Sequence, residues 1–468
     1  MLLFVCAGLA WGVLGTDRPE AAARPYAAAG GRSTVTLDAS GGFVVDRRPT
    51  FLIALSNPPP LSGRMPGGRR GLAEVVRAGV NLVRVGPAWT GWSGRELDYV
   101  HAWERAAVHL GIHVWVRLNA FAATQPRWRG DAHLAAVVHE LTRGRSAAGM
   151  GLWQGADEPW SRGIPVRSLA FVYCRVTSRG DPSACAGEPP LDRRHLLVTV
   201  QAASGTPADL APYRDVTDIL GVDVYPVTLG DIDAPNLHQV GVWTRAIARL
   251  GRAHSVWTTL QICSAHAYDR RTGAYVLPSG YQERYMVYDA IINGARGISF
   301  FGGGNRHCWN RVDRRYGWNW TFWNRALSPL IRQIGSRSPL GPAIDNAASN
   351  DVLQTNDPGT EAISRVAVRR RARQFWVIAA RADPGVAHVA ISGLPASVTS
   401  ATVYGERRRV PVSDGTLRDT FRQWQVHIYR VRVATLERLR AVRTTPAARS
   451  VREDRVGGAA GSRGSRRR

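Results

Sequence analysis

The stretch Met150-Gly151-Leu152-Trp153-Gln154-Gly155-Ala156-Asp157-Glu158-Pro159-Trp160 decides how this chain is read. Its first half, Gly151–Gly155, is a mostly apolar run of strand length, and it breaks at two acids and a proline. Such a run fits a strand covered on both faces, as parallel strands are. Working outward, the same pattern recurs at Phe51–Leu55, Leu82–Val85, Val114–Leu118, Leu196–Gln201, Ile219–Tyr225, Ser255–Gln261 and Gly297–Phe301. Helical periodicity separates these runs, at Gly71–Ala78, Glu96–Leu110, Asp131–Arg143, Pro165–Val176, Leu237–Leu250, Tyr281–Asn293 and Trp323–Ile334. The fifth connection is short and has room only for a helical stub near Ala208–Tyr213. Eight alternating units in about 300 residues predict an α/β fold, a (β/α)8 (TIM) barrel. A doubly wound sheet is the alternative, but the GxGxxG phosphate turn it should carry is missing from the sequence.

After about residue 345 the pattern changes. Ile363–Val368, Gln374–Ala380, His388–Ile391, Thr402–Val403 and Gln425–Val431 read as short strands split by turn residues. They predict a small antiparallel β-sandwich. From Ala434 the chain is rich in Arg, Gly and Ser, which predicts a solvated tail. The N-terminal Met1–Gly15 run is apolar and of signal-peptide length, with Ala21-Ala22-Ala23 as a cleavage site. A positive n-region is missing from it, so a buried N-terminal helix is the other reading. Val5 before Cys6 argues against a lipoprotein. The expected organisation is a signal peptide at 1–23, a barrel over 24–344, a sandwich over 345–433 and a tail over 434–468.

Composition narrows the function classes. The chain has 468 residues, 44% hydrophobic and 21% charged, which excludes a mostly disordered protein. No apolar run reaches transmembrane length. The net charge of +25 suggests nucleic acid at first sight. However, all 61 basic residues are arginine, and ten of them lie in the last 35 residues against three acids. The remaining excess is spread along the chain, so a dedicated nucleic-acid binder is not expected. Arg466-Arg467-Arg468 offers at most an unspecific polyanion or cell-surface contact.

Barrel chemistry sits at the C-terminal ends of the strands. In order, those ends bring Asn57; Trp89 and Trp92; Arg117 and Asn119; Asp157, Glu158 and Trp160; Gln201; Asp223 and Tyr225; Gln261; and Trp309. The set is acidic, polar and rich in tryptophan. Flat aromatic faces stack on sugar rings, and Asn, Gln, Arg and Asp bind hydroxyls. Asp157-Glu158-Pro159 is the sharpest signal in the set. A glycosidic leaving oxygen needs a carboxylic acid to protonate it, and an apolar wall or a second carboxylate raises the pKa for that role. Trp153, Trp160 and Asp157 are the neighbours that qualify. The competing reading is a helix start, with Asp157 as N-cap, Glu158 in the first turn and Pro159 near N1.

The segment Gly151–Pro159 resembles the strand-4 signature of (β/α)8 glycoside hydrolases. In their large retaining clan the motif is Asn-Glu-Pro. The resemblance implies that Glu158 is the acid/base and that Asp157 stands in the Asn position. Asp223-Val224-Tyr225-Pro226 is similar to the Asp-x-Tyr-Pro of many bacterial members, as is Met286–Gly297 leading into strand 8. The resemblance covers roughly residues 45–335 and implies hydrolysis of O-glycosidic bonds in an oligo- or polysaccharide. The trailing β-domain fits it. One position departs from the pattern. The clan's nucleophile is a Glu at the end of strand 7, where Val256-Trp257-Thr258-Thr259-Leu260 runs into Gln261. An amide is no carboxylate nucleophile. Three readings follow: an inverting enzyme with Asp223 as partner; a substrate-assisted enzyme, since adjacent Asp-Glu at strand 4 resembles the hexosaminidase arrangement; or a glycan binder that does not cleave.

Five cysteines support export. Without Cys6 four remain, and even counts in an oxidising compartment favour disulfides. Cys263 and Cys308 follow strands 7 and 8, neighbours in a barrel, and Cys174 and Cys185 flank helix 4; these are the expected pairs. His266 near Cys263 lacks a second pair, and CxxC is missing, so neither a metal nor another cofactor is expected. Asn319-Trp320-Thr321 matches the N-glycosylation pattern, which is common by chance. GxSxG, HExxH and the P-loop are missing, which leaves esterase, zinc-protease and NTPase readings unsupported.

Overall fold

The computed structural model describes residues 33–88, 90–123, 129–228, 235–250, 255–263, 268–269, 274–346, 351–369 and 372–431. The expected signal peptide, Trp89, His266 and the 434–468 tail lie outside the described residues.

Eight parallel strands close into a barrel: β1 (Leu52–Leu55), β2 (Leu82–Val85), β3 (His113–Arg117), β4 (Met150–Asp157), β5 (Leu196–Ala202), β6 (Ile219–Val224), β7 (Ser255–Gln261) and β8 (Gly297–Phe301), with β8 pairing back to β1. The helices of the outer ring include α1 (Gly71–Ala78), α2 (Gly94–Leu110), α3 (Arg129–Leu141), α4 (Val166–Thr177), α5 (Gln239–Leu250) and α6 (Gly280–Ile292). α2 starts on a Ser93/Glu96 capping box and stops at Gly111 in the left-handed region. The fifth connection is the expected stub, a turn at Pro207–Leu210 that tightens into Ala211–Val216. The helix expected at Trp323–Ile334 is broken into a π-helical turn, Trp323–Leu327, and Ser328–Ile334. Pro329 has no N–H for the regular ladder, so the turn before it widens.

The lumen is filled by tryptophan. The Trp115 and Trp257 ring centroids are 5.1 Å apart, and Phe43 stands edge-on to Trp257 at 6.4 Å. Glycine makes the space: a Cβ on Gly297 would lie 2.9 Å from the Trp257 ring. Phe43 belongs to a small antiparallel sheet, Val35–Leu37, Phe43–Val45 and Arg48–Pro49, whose apolar residues join the lumen cluster. The sequence reading did not include this sheet.

The C-terminal domain is antiparallel throughout: β9 (Asp351–Thr355), β10 (Thr360–Arg369), β11 (Ala372–Arg381), β12 (Val386–Ser392), β13 (Ser400–Val403), β14 (Arg408–Ser413), β15 (Thr416–Arg422) and β16 (Val426–Val431). It forms two sheets, and β9 and β14 each pair into both, so the hydrogen-bonded order closes on itself. β9, β14 and β15 are additions to the sequence reading, because Arg, Asp and Thr on their outer faces dilute the apolar signal. Ile363, Trp376, Ile378 and Ile428 merge with the barrel's outer core. Tyr281 Oη and Arg284 Nη1 on α6 donate to the carbonyls of Gln423 and Val426, each at 2.8 Å. Among the described residues no helix is long and apolar enough to cross a membrane.

Asp345, just below the barrel floor, tests the packing. Its Oδ1 accepts from the Phe51 N–H at 2.8 Å. Burial pushes its carboxyl up to about 7, against the opposing pull of that N–H and of Arg365. Because the folded value lies above the ordinary 3.8, the stabilisation from the bound proton is complete below 3.8 and is lost as pH rises through about 7. Asp345→Asn keeps the acceptor and removes the titration. Wild type should therefore lose stability relative to the variant between pH 4 and 8, by at most about 4 kcal/mol. Thermal unfolding curves that stay parallel across that range would show that Asp345 does not titrate as described.

Candidate active site

β4 is shaped by two bulges. Gly151 is skipped in its pairing with β3, and Gly155 in its pairing with β5. A side chain at Gly155 would lie 2.7 Å from both Leu169 and Leu197. Before the second bulge Leu152 and Gln154 face the lumen; after it the alternation slips by one, and Asp157 faces inward. The bulge therefore aims the acid.

The carboxylates converge where the sequence reading placed them. A cavity of about 260 Å³ opens at the C-terminal ends of the barrel strands, lined by Ser56, Arg84, Asp157, Glu158, Arg162, Val200, Asp223, Tyr225, Thr259 and Phe301. Arg84 lies over the Trp115 ring, 5.2 Å from its centroid, and its Nη1 reaches Asp157 Oδ1 at 3.3 Å. Gln154 Nε2 donates to the same oxygen at 2.9 Å. Arg162 Nη2 pairs with Glu158 Oε2 at 2.8 Å. The Tyr225 hydroxyl donates to Asp223 Oδ2 at 3.1 Å and its ring stacks on Phe301. Asp223 lines the same cavity as Glu158, and no N–H or O–H of the described residues serves its Oδ1. Arg84 is thus paired with Asp157, and Arg162 with Glu158. Burial first, then the charges of Glu158 and Asp157, push the Asp223 carboxyl well above the usual range. Burial first, then the charges of Asp223 and Asp157, raise Tyr225 as well.

Glu158 sits at φ 50°, in the left-handed region. Its N–H donates to Val200 O at 2.6 Å, and its carbonyl accepts from Arg162 N at 3.1 Å, which pins it there. The helix-start reading fails, because α4 begins only at Val166 behind Pro165.

The other expected site residues are committed elsewhere. Gln261 uses both amide atoms on Val227, accepting from its N–H at 2.8 Å and donating to its carbonyl at 2.9 Å. Gln201 Oε1 accepts from the Trp160 N–H, and the Trp160 ring lies against Gly205. Asn57 Oδ1 holds the Gly302 N–H, and Trp309 Nε1 donates to Gly303 O. Arg117 clamps the Gly86 carbonyl; burial and nearby Arg84 push its guanidinium down to about 10. Asn119 is buried at the start of a short helix, its amide atoms without described partners. Trp92 packs into the outer core. Trp153 faces outward and donates to Asp192 Oδ2, so the apolar wall near the acids is Val200 and Phe301. Both expected disulfides, Cys174–Cys185 and Cys263–Cys308, are formed. Asn319 of the glycosylation pattern is wholly buried.

Arg84 and Thr259 joined the site without a sequence signal, because each looks like an ordinary member of an apolar strand. Gly155 did carry one, since an isolated glycine inside a strand marks a bulge. A second cluster, His238, Asp289 and Glu361, brings possible metal-ligand atoms within 4.8 Å of one another. Asn293 Nδ2 already donates to both acids there, and Arg245 pairs with Glu361. The residues therefore fit a clasp between α5, α6 and β10 better than a metal centre.

No family model matches the sequence, and no curated protein matches it. Solved structures match the fold. A glycoside hydrolase is similar at TM-score 0.54 and 11% identity, over 86% of this chain and 97% of its own. A family 5 glycoside hydrolase from Bacteroides vulgatus is similar at 0.54 and 10%, over 85% and 93%. An α-amylase from Anoxybacillus is similar at 0.51 and 10%, over 83% and 98%. At these identities the likeness shows the fold. The chain is a (β/α)8 barrel protein with a C-terminal antiparallel β-domain, built like these glycoside hydrolases.

The strain at Glu158 makes a prediction. A non-glycine residue in this region costs about 1–2 kcal/mol. Glu158→Gly should raise the unfolding midpoint, by about 1 kcal/mol of stability after the flexibility glycine adds to the unfolded chain. Calorimetry showing an unchanged or lower midpoint would mean the backbone is not strained there.

Proposed function

We propose that this chain hydrolyses O-glycosidic bonds of an oligo- or polysaccharide. The observation that carries the reading is the convergence of Asp157, Glu158 and Asp223 at the barrel mouth, where burial and the neighbouring acids push the Asp223 carboxyl well above its usual range. Glu158 stands on the open side of the pair, its side chain 26% exposed, while Asp223 is buried. Glu158 delivers the proton to the leaving oxygen, and Asp223 stores that proton in the free protein. Asp157, fixed by Arg84 and Gln154, stabilises the positive charge that grows at the anomeric carbon. The Tyr225–Phe301 stack offers an apolar face to a sugar ring. The fold shared with solved glycoside hydrolases supports the same reading. Two disulfides suit an oxidising compartment, and we place the protein outside the cytoplasm.

A second reading is glycan binding without cleavage. Its support is Gln261, locked onto Val227 where the retaining clan carries a nucleophile.

Aryl glycosides separate the two. Glu158→Gln and Asp223→Asn should each lower hydrolysis by about 10²–10⁴-fold with circular dichroism unchanged. Full activity in Glu158→Gln would overturn the assignment. Saturable binding of a polysaccharide by wild type, with no reducing ends released, would establish the second reading.

A further inference from the structure

Ser56 and Phe301, at the ends of β1 and β8, form part of the cavity wall, and the loops that continue from them are joined into one rim. Asn57 Oδ1 accepts from the Gly302 N–H at 3.1 Å, and the Asn57 carbonyl accepts from Trp318 Nε1 at 2.7 Å. A Cβ on Gly71 would lie 2.7 Å from the Trp320 ring, so the second loop packs where α1 begins. The Cys263–Cys308 disulfide ties that loop to the end of β7 as well.

The charge of this rim is one-sided. Residues 56–70 and 302–319 hold seven arginines and one acid, whereas the whole chain holds 61 basic residues to 36 acidic ones. All seven arginines are exposed. The acid, Asp313, is buried, and its Oδ1 accepts from the Thr321 N–H at 2.9 Å and from the Thr321 hydroxyl at 3.1 Å. Arg69 pairs with Glu74 at 3.1 Å, and Arg314 Nε donates to the Trp309 carbonyl at 3.3 Å. Arg70, Arg306 and Arg311 have no ion-pair partner among the described residues.

A guanidinium presents a planar fork of donors that matches carboxylate and sulfate oxygens, and a cluster of them concentrates anions at its surface. A neutral glycan makes no use of such a cluster. The cavity sets the opposite condition. Three carboxyls meet there against Arg84 and Arg162, so an anionic group held directly over them is repelled. We infer that the substrate is an acidic polysaccharide whose carboxylate or sulfate groups lie on the sugars flanking the cleaved bond, where the β1 and β8 loops hold them; this rests on the hydrolase reading above. The braced loops keep the arginines in place before the glycan arrives, so little ordering is left for binding to do.

The test measures binding of the full chain by calorimetry to two matched pairs of polymers, carboxymethyl and hydroxyethyl cellulose, and sulfated and plain dextran. The anionic member of at least one pair should bind about tenfold tighter or more than its neutral counterpart, and less so as salt screens the charges. The pair with the larger difference tells carboxylate from sulfate. Arg306→Gln/Arg311→Gln should weaken that binding by about tenfold, and Arg70→Gln on the other loop should weaken it in the same direction. Arg409→Gln/Arg418→Gln removes the same charge from exposed positions of the C-terminal domain and should leave the affinity within about twofold of wild type. Melting temperatures check that each variant is folded. Equal losses in the two double variants, or equal affinity for charged and neutral polymers, would assign the effect to net charge and overturn the inference. Double-stranded DNA that binds more tightly than either anionic polymer, with the same loss in the rim variant, would name a nucleic acid as the occupant and overturn it too. Both results leave the hydrolase reading to its own test on aryl glycosides. Rim-dependent binding with no reducing ends released from any polymer and no aryl glycoside cleaved removes the hydrolase reading and the substrate with it, and the rim then serves the second reading.

Discussion

The site depends on a column of aromatic contacts through the barrel. Phe43 meets Trp257, Trp257 meets Trp115, and Arg84 lies on Trp115. Each ring excludes water from the one above it, so the guanidinium at the top rests on an apolar plate and keeps its remaining donors for oxygen. It spends them on the Ser56 carbonyl and Asp157. A barrel filled with smaller aliphatic layers would leave that arginine without a platform. Gly297 at the start of β8 is what admits the Trp257 ring.

The charges above that plate are set by counting as much as by distance. Two arginines face three acids, and burial together with the charges of Glu158 and Asp157 pushes the Asp223 carboxyl upward. A preorganised site of this kind holds its dipoles and charges ready before a ligand arrives. The left-handed turn at Glu158 belongs to the same arrangement. Hydrogen bonds to β5 and from the following turn hold the residue in a strained conformation at the cavity it lines with Asp223.

Much of the fold was legible because barrel strands are apolar runs with sharp ends. β2, β7 and β8 and helix α1 match the sequence reading residue for residue. The acids at the ends of strands 4 and 6 were legible for the same reason, since a polar residue after an apolar run stands at the mouth. Residues inside a run were not. Arg84 in Leu82-Val83-Arg84-Val85 and Thr259 in Ser255–Gln261 carry no mark of which face they occupy. The tryptophans misled in the opposite direction. Of the tryptophans read as sugar platforms, Trp92 packs into the outer core, the Trp160 ring lies against Gly205 and Trp309 donates to the Gly303 carbonyl. Gln261 was located correctly in the chain, but its amide completes a backbone pair with Val227, which strand spacing does not reveal.

The closed ring of the C-terminal domain has a consequence for how this protein meets others. A sheet normally ends in strands whose free N–H and C=O groups can recruit a further strand, from a partner or from a misfolded copy. Here β9 and β14 turn from one sheet into the other, and the ladder returns to its start. Among the described residues the closed order leaves the domain without a terminal edge strand, which favours recognition of a partner through side chains. For a chain carrying this much positive charge, that removes a route to aggregation that charge repulsion alone would otherwise have to guard against.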